Sequence, residues 1–207
     1  MLKNENFYSN LWYITSREEN LSKGGILLRI LFVSDIHGIK KNLQVIQEKY
    51  REFQCEKIVV LGDLYYAGWQ YQISEDYDRE FVRDFLDSYG DRLVCVRGNC
   101  DSDEDKEFGH FTVIDDYTQV LKEPIEVYAT HGHIYNENNW KKEKSVLVFG
   151  HYHIPFIEER GENLFINPGS ISLPKEDYNP SFLIWDEKTF TIYDVEGNII
   201  AQKEINY

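Results

Sequence analysis

The pattern of hydrophobic and polar positions along the chain changes near residue 154. Before that point, short β-branched runs are followed by a turn and an amphipathic segment, which is typical of βαβ units and a mainly parallel sheet. Segments 40–53 and 78–89 carry apolar side chains near helical spacing and are predicted to be helices. The buried strands predicted in this part of the chain are 28–34, 57–61, 93–96, 126–129 and 146–149.

After residue 154 the pattern becomes strand, turn and strand. Polar turns at 187–188 and 196–198 suit antiparallel hairpins. Parallel pairing first and antiparallel pairing later predicts two packed sheets with helices outside. The strands predicted in this second part are 156–159, 164–167, 181–185, 190–195 and 199–205.

The first 25 residues form an N-terminal extension that differs from the body of the chain at 26–207. The extension combines an aromatic cluster at residues 7–13 with a capping-box pattern at 16–19. We expect a strap or short helix whose aromatic side chains pack on the body. An arm that binds a partner is the alternative, because exposed aromatic residues also mark interaction sites.

Composition and charge exclude several classes of protein. The chain has 207 residues, which suits a single body, and a formal net charge of −14, which disfavours extended nucleic acid and anionic membranes as partners. It has no run of 18 apolar residues and no apolar secretion signal, so we expect no membrane association. Its three cysteines are few and odd in number, which does not suit a disulfide framework. Reduced thiols are typical of the cytosol, so we expect a cytoplasmic location. A homo-oligomer remains open.

Metal-binding residue types follow the ends of five predicted strands in succession. Carboxyl ends of parallel strands meet at one edge of a sheet, so we expect these side chains to converge there. A single polar residue at a strand end is usually a turn former, but five successive ends of this kind are hard to explain by turns. The residues are Asp35, His37, Asp63, Asn99, His131, His133, His151 and His153.

Mixed imidazole and carboxylate ligands suit Mn, Fe, Zn, Co or Ni, whereas Ca²⁺ prefers oxygen ligands alone. Seven ligands from among these eight residues exceed what one ion with an open position needs from the protein. They suit two divalent ions that share one carboxylate. The sequence therefore predicts a dinuclear metal centre.

In this order, the five motifs at 35–37, 62–66, 98–101, 131–133 and 150–153 resemble those of the calcineurin-like metallophosphoesterase superfamily. The stretches at 97–102 and 167–170 resemble its YfcE-type phosphodiesterases in particular. The resemblance implies an α/β fold of two packed mixed β-sheets flanked by helices, a four-layer sandwich. It also implies a phosphodiesterase that hydrolyses a small phosphodiester substrate by attack of a metal-bound hydroxide, with Mn²⁺ as the first choice among the divalent ions.

The same resemblance assigns the ligands. It gives one ion to Asp35, His37 and His153, and the other to Asn99, His131 and His151. Asp63 bridges both ions. The candidate catalytic residues are Asp63, Asn99 and His133. His133 lies two residues after the ligand His131 in its motif. The resemblance implies that His133 contacts either the substrate phosphate or the metal ligands themselves.

Two positions depart from the pattern. Many phosphomonoesterases of this superfamily have a proton-donating His after the motif Asn, where this chain has Cys100. A thiol is a weak donor, so this role is expected to be missing or displaced to His133, which favours diesters with good leaving groups. Cys100 is a candidate contact to substrate, and the alternative is that a small residue is needed there only because it fits. Tyr152 replaces a small residue and either contacts substrate or packs beside the site.

Three further hypotheses accompany this interpretation. A phosphomonoesterase or nucleotide phosphatase is one alternative activity. A non-catalytic scaffold resembling a retromer subunit is another, although all seven ligand positions are filled here. The aromatic residues after Asp63 predict either a stacking wall for a base or aryl group, or cover for the core; they are Tyr65, Tyr66, Trp69 and Tyr71.

Overall fold

The structure is a computed structural model that describes residues 28–68 and 74–205. The predictions for the extension at 1–25 and for Trp69 and Tyr71 lie outside these residues. The helices are α1 (Leu43–Glu52), α2 (Arg79–Asp87), α3 (Asp103–Phe108) and a 3₁₀ turn (Gly90–Arg92). The strands are β1 (Ile30–Val33), β2 (Lys57–Val60), β3 (Leu93–Val96), β4 (Val113–Ile114), β5 (Tyr117–Leu121), β6 (Glu126–Thr130), β7 (Ser145–Phe149), β8 (Pro155–Arg160), β9 (Asn163–Pro168), β10 (Ser181–Trp185), β11 (Thr189–Asp194) and β12 (Ile199–Glu204).

The strands form two mixed sheets, which confirms the predicted fold class. The first sheet has seven strands in the order β12-β11-β10-β1-β2-β3-β4, and the second has five in the order β5-β6-β7-β9-β8. In the first, β1 to β4 are parallel and β10 to β12 run antiparallel as a meander. In the second, β6, β7 and β9 are parallel, and β5 and β8 are antiparallel edges.

The sequence pattern of parallel strands first and antiparallel strands later does not match the division between sheets. Strands β6 and β7, which the pattern groups with β1 to β3, belong to the second sheet. Strand β10, from the later part of the chain, belongs to the first sheet and pairs with β1, where Leu31 lies opposite Ile184. The pattern also missed the short elements α3, β4 and β5. They have between two and six residues, too few to show a period.

Strand β1 is buried on both faces, as expected for a central strand in a layered fold. Ile30 and Phe32 face the second sheet and belong to the core between the sheets. Leu31 and Val33 face the helices and pack with α1 and α2. Alternate side chains of β1 thus contact the helices on one face and the second sheet on the other. This packing fixes the position of the carboxyl end of the strand.

The outer faces of the two sheets are covered differently. Buried side chains of α1 and α2 pack on the first sheet, including the predicted stripe Val82, Phe85 and Leu86. On the second sheet, Trp140, Tyr152 and Phe156 cover a cluster built around Phe149. None of the helices within residues 28–68 and 74–205 is long and apolar enough to cross a membrane.

Candidate metal centre

The predicted site residues follow strands of both sheets. Strands β1, β2 and β3 of the first sheet lead to three motifs, and β6 and β7 of the second sheet lead to the other two. Backbone hydrogen bonds join these loops, with Asp35 N donating to Gly62 O at 3.2 Å and Gly150 N to His131 O at 2.8 Å. The expectation of one sheet edge is therefore wrong in detail: the site lies where two sheets end side by side.

Asp35, His37 and His153 form one group of potential ligands. Asp35 Oδ1 lies 3.2 Å from His153 Nε2 and 3.8 Å from His37 Nε2. The two Nε2 atoms lie 3.4 Å apart. All three side chains are buried, with Asp35 fully inaccessible, so their unshared electron pairs face one another and not solvent.

Asp63 joins this group to a second one around His131. Asp63 Oδ2 lies 3.7 Å from His37 Nε2 and 3.5 Å from His131 Nε2, so a single oxygen faces both groups. Asn99 Oδ1 lies 3.1 Å from His131 Nε2. The His151 ring centre is 5.1 Å from that of His131. This arrangement brings together all seven residues that the sequence predicts as ligands.

Three of the histidines are oriented by backbone carbonyls. Nδ1 of His37 donates to Tyr66 O, Nδ1 of His131 to Leu61 O and Nδ1 of His153 to Leu173 O, at 2.5–2.6 Å. A hydrogen bond of this kind places the proton on Nδ1 and leaves the Nε2 lone pair for a metal. Leu61 and Leu173 lie outside the motifs and Tyr66 at the end of one, and since any residue type can supply a carbonyl, no sequence signal could have identified these contacts.

The donor set fits divalent cations. Asp35 Oδ1 is buried and has no hydrogen-bond partner among the described residues, although it lies within reach of two imidazoles. In the neutral form oriented by the carbonyls, His37 and His153 turn lone pairs toward each other and toward this oxygen. Several acceptors with no shared donor are unfavourable in a buried site unless a cation lies between them.

The charges of the site residues also favour a bound cation. Burial would raise the pKa of Asp35, but the imidazole of His153, 3.2 Å away, and the charge of His131 hold it below its usual value. Burial would also raise the pKa of Asp63, and His131, Cys100 N–H and His37 lower it instead. Burial lowers the pKa of His131, whereas Asp63 and Asp35 raise it to about 9. Both carboxylates therefore stay ionised, and a metal would displace a proton from His131 on binding.

Five of the seven potential ligands have left-handed backbone conformations. A positive φ in a residue other than glycine costs roughly 1–2 kcal/mol and persists where the surrounding fold imposes it. Such strain is common at functional sites. The residues and their φ values are Asp35 (58°), His37 (54°), Asp63 (55°), His151 (68°) and His153 (63°).

Asp101 holds two of the ligand loops together. Its buried carboxylate accepts backbone N–H groups from Asp63 at 2.8 Å, Leu64 at 2.7 Å and Gly98 at 2.7 Å. The loop after β2 and the loop after β3 are thus fixed to one side chain. In the sequence, Asp101 stands out only as part of a motif, because hydrogen bonds between distant loops leave no periodic signal.

Gly98 lies against the bridging carboxylate. A Cβ atom at this position would collide with Oδ1 and the backbone N of Asp63. We expect Gly98→Ala to lower the free energy of unfolding by about 1–3 kcal/mol, as for other overpacked sites. The variant should also reduce the rise in Tm that Mn²⁺ produces, measured by thermal unfolding with and without the ion.

Gly161→Ala is the control, since a Cβ at this turn meets open space between β8 and β9. Its left-handed φ of 63° makes alanine costly there too, but at a distance from the ligands. An equal Mn²⁺-induced rise in Tm for both variants would contradict the proposed steric link between Gly98 and the metal centre.

The candidate substrate-contacting residues lie around this centre. The His133 ring is 5.3 Å from that of His131 and 6.2 Å from that of His151. Cys100 is half-buried. Its thiol lies close enough to His37 and Asp63 to form a third group of potential metal ligands with them. Burial and the charge of Asp63 raise the pKa of this thiol to about 12.

Tyr152 has well-defined protein contacts. Its ring lies 5.5 Å from Phe149 and 6.3 Å from Phe156, and its hydroxyl donates to Glu137 at 3.2 Å. This geometry matches the packing alternative, and contact with substrate stays a prediction. Among the aromatic residues after Asp63, Tyr65 is fully buried in the core, and Tyr66 is 49% exposed.

A cavity of about 550 Å³ opens beside the centre. Asn99 and His133 form the wall next to the potential ligands, and Arg97, Asp115, Asp116 and Ile134 lie farther along its lining. Burial and the charge of His131 lower the pKa of His133, against the opposing charges of Asp63 and Asp116. A neutral imidazole thus borders both the centre and the cavity.

This fold and this set of residues define a phosphoesterase: the chain belongs to the calcineurin-like phosphoesterase superfamily, whose domain matches residues 28–189. Phosphodiesterase YfcE of Escherichia coli (strain K12) is 33% identical over 183 residues, which cover 87% of this chain and all of that protein. The E. coli YfcE structure superposes with a TM-score of 0.81 at 34% identity and covers 86% of this chain and all of that one.

A more distant match shows the fold alone. Vacuolar Protein Sorting 29 from Cryptosporidium parvum superposes with a TM-score of 0.60 at 20% identity, over 88% of this chain and all of that one. The superfamily predicted from the five motifs is confirmed, and it implies divalent metal ions. The role of each ligand remains a prediction.

Proposed function

We propose that the protein is a metal-dependent phosphodiesterase that acts on small phosphodiesters. Two divalent ions, with Mn²⁺ the first choice, would be held by the residues that the family resemblance assigns. Asp35, His37 and His153 would hold one ion, Asn99, His131 and His151 would hold the other, and Asp63 would contact both. The observation that carries this proposal is the Asp63 oxygen that faces both His37 Nε2 and His131 Nε2. The 33% identity to a protein named phosphodiesterase YfcE supports the substrate class.

When bound, such ions stabilise charge on a phosphoryl group under attack and lower the pKa of water to near neutrality. The protein supplies the positions. Nδ1 donation to carbonyls fixes the rings of His37, His131 and His153, and Cys100 N donates to Asp63 Oδ1 at 2.8 Å. These contacts leave Asp63 Oδ2 free to face both ligand groups. The buried walls around Asp35 exclude bulk water from one side of the centre.

His133 is the proposed contact to substrate. It borders the cavity, and it is neutral near pH 7 because burial and His131 lower its pKa. A neutral imidazole can donate one hydrogen bond to a phosphoryl or leaving-group oxygen. Cys100 is the second proposed contact, and its thiol is a poor proton donor. Diesters with good leaving groups are therefore preferred to monoesters.

The predicted partners follow from charge and shape. Extended nucleic acid is disfavoured by the net charge of −14 and by the carboxylates that line the cavity. The cysteines among the described residues are free thiols, in keeping with the proposed cytoplasmic location. A homo-oligomer is compatible with the site, because its potential ligands come from one chain.

Metal analysis and an activity assay test the proposed function together. The metal-free protein is reconstituted with Mn²⁺, and bound ions are counted by elemental analysis. Bis(4-nitrophenyl) phosphate and 4-nitrophenyl phosphate are then compared at equal concentration. We expect close to two ions per chain, and kcat/KM at least about tenfold higher for the diester, in line with a missing general acid.

Each other outcome excludes part of the proposal. A higher kcat/KM for the monoester would favour a phosphomonoesterase. Two bound ions without hydrolysis of either ester would favour a scaffold, the role considered for retromer-like chains. One ion or none after reconstitution would contradict the dinuclear assignment.

A further inference from the structure

The cavity beside the metal centre has an unequal distribution of charge. Arg97 lies 3.1 Å from Asp103 and 3.6 Å from Asp115, and Lys106 lies 2.6 Å from Asp115 and 3.8 Å from Asp103. Two cations and two carboxylates thus pair with one another. Arg97 is the cation in the cavity lining, and these neighbouring carboxylates offset its charge. It would therefore attract an anionic group of a ligand only weakly.

Asp116 differs from the other carboxylates of the cavity. It is exposed in the lining, and no ion pair involves it among the described residues. Asp101, which also lines the cavity, is buried and accepts three backbone N–H groups. Among the residues that the structure describes, Asp116 therefore provides the one uncompensated, solvent-facing carboxylate of this lining, and its field reaches His133 beside the potential metal ligands.

The position of Asp116 is fixed by the fold. Its carbonyl accepts the Thr130 hydroxyl at 2.7 Å, and Thr130 immediately precedes the potential ligand His131. Ile134, 42% exposed, adds an apolar wall on the same side. A cavity of about 550 Å³ accommodates a small organic substituent. The lining thus combines an apolar surface with one negative charge.

We propose that this cavity holds an alcohol substituent of the phosphodiester and that Asp116 selects substituents carrying a protonated amine, as in esters of amino alcohols. This inference rests on the proposed function, because the phosphate itself must be held at the metal centre. A substituent with a second phosphate or a carboxylate is disfavoured, since it would face Asp116, and residues 28–68 and 74–205 place no unpaired cation in the cavity lining. Asp116 is therefore a specificity-determining residue.

Binding to the Mn²⁺-loaded protein tests the proposal by calorimetry. Three ligands differ only in their substituent: 2-aminoethyl phosphate, 2-hydroxyethyl phosphate and 2-carboxyethyl phosphate. We expect the amine to bind about fivefold more tightly than the hydroxyl compound, the upper range for an exposed ion pair, and the carboxylate to bind most weakly. The preference should shrink in 0.5 M NaCl, because salt screens exposed charges.

Asp116→Asn should remove the preference for the amine. Asparagine tolerates the left-handed φ of 57° at this position, and the carbonyl that accepts from Thr130 is retained. Asp84→Asn is the matched control. It removes one exposed carboxylate from α2, outside the cavity, and should keep the fivefold preference.

Equal affinities of the three ligands for the wild type would overturn the proposal, as would a preference that survives Asp116→Asn. Hydrolysis of bis(4-nitrophenyl) phosphate by the same preparation separates this result from the proposed function. Hydrolysis without a preference for the amine overturns only the role of Asp116. A preference without hydrolysis retains that role and contradicts the phosphodiesterase.

Discussion

Asp63→Asn should abolish most of the activity while leaving the fold intact. The amide has the shape of the carboxylate and can still accept the N–H of Cys100, now bonded to Asp63 Oδ1 at 2.8 Å. It loses the charge that faces both His37 and His131. We expect kcat/KM for bis(4-nitrophenyl) phosphate to fall by about 10³-fold, equivalent to the several kcal/mol that metal ions contribute to the transition state.

The metal content of Asp63→Asn provides a second measurement. The variant should hold at most one Mn²⁺ per chain after reconstitution, and Mn²⁺ should raise its Tm less than that of the wild type. Its far-UV circular dichroism should match the wild type, which separates a lost ligand from a lost fold. Asp84→Asn again serves as the control for one removed charge. Full metal content with full activity would contradict the bridging role.

The strand-end residues could be predicted from sequence because their placement follows from local structure. Asp35, Asp63 and Asn99 each lie two or three residues after a buried apolar run, and parallel strands bring such ends together. The superfamily followed from five such motifs in order. Convergence needed no knowledge of which sheet each strand joins, as both sheets end at the same side.

The division into sheets could not be predicted in this way. Strands β6 and β7 are buried runs like β1 and β2, and their pattern fits either sheet. The first sheet instead continues through β10, which is more than 140 residues from β1 along the chain. Pairing over such a separation depends on packing of the whole core, here of Trp185 and Phe190 with the second sheet.

The contacts and backbone conformations that orient the potential ligands could not be predicted from the sequence either. Carbonyls of Leu61, Tyr66 and Leu173 orient the histidines, and any residue type can supply a carbonyl. The left-handed φ of His151 and His153 likewise has no sequence signal, since residues other than glycine seldom adopt this conformation. The direction of the Tyr152 hydroxyl toward Glu137 follows from tertiary packing.

Asp101→Ala should produce the largest loss of stability outside the core. Three buried backbone N–H groups, of Asp63, Leu64 and Gly98, donate to this carboxylate at 2.7–2.8 Å. Each buried donor left without an acceptor costs about 1–3 kcal/mol, and water entering the space offsets part of that cost. We expect the free energy of unfolding, measured by urea denaturation, to fall by about 3–5 kcal/mol.

The effect of Asp101→Ala should extend to the metals because the loops after β2 and β3 carry Asp63 and Asn99. Asp194→Ala provides the matched control: its carboxylate is also buried and accepts N–H groups of Glu196 and Asn198, but in the turn between β11 and β12. Both variants should lose stability, whereas only Asp101→Ala should lose Mn²⁺ affinity in titrations at a temperature where both remain folded. Equal Mn²⁺ affinity in the two variants would show that Asp101 stabilises the fold without positioning the ligands, and would remove the link between these loops and the site.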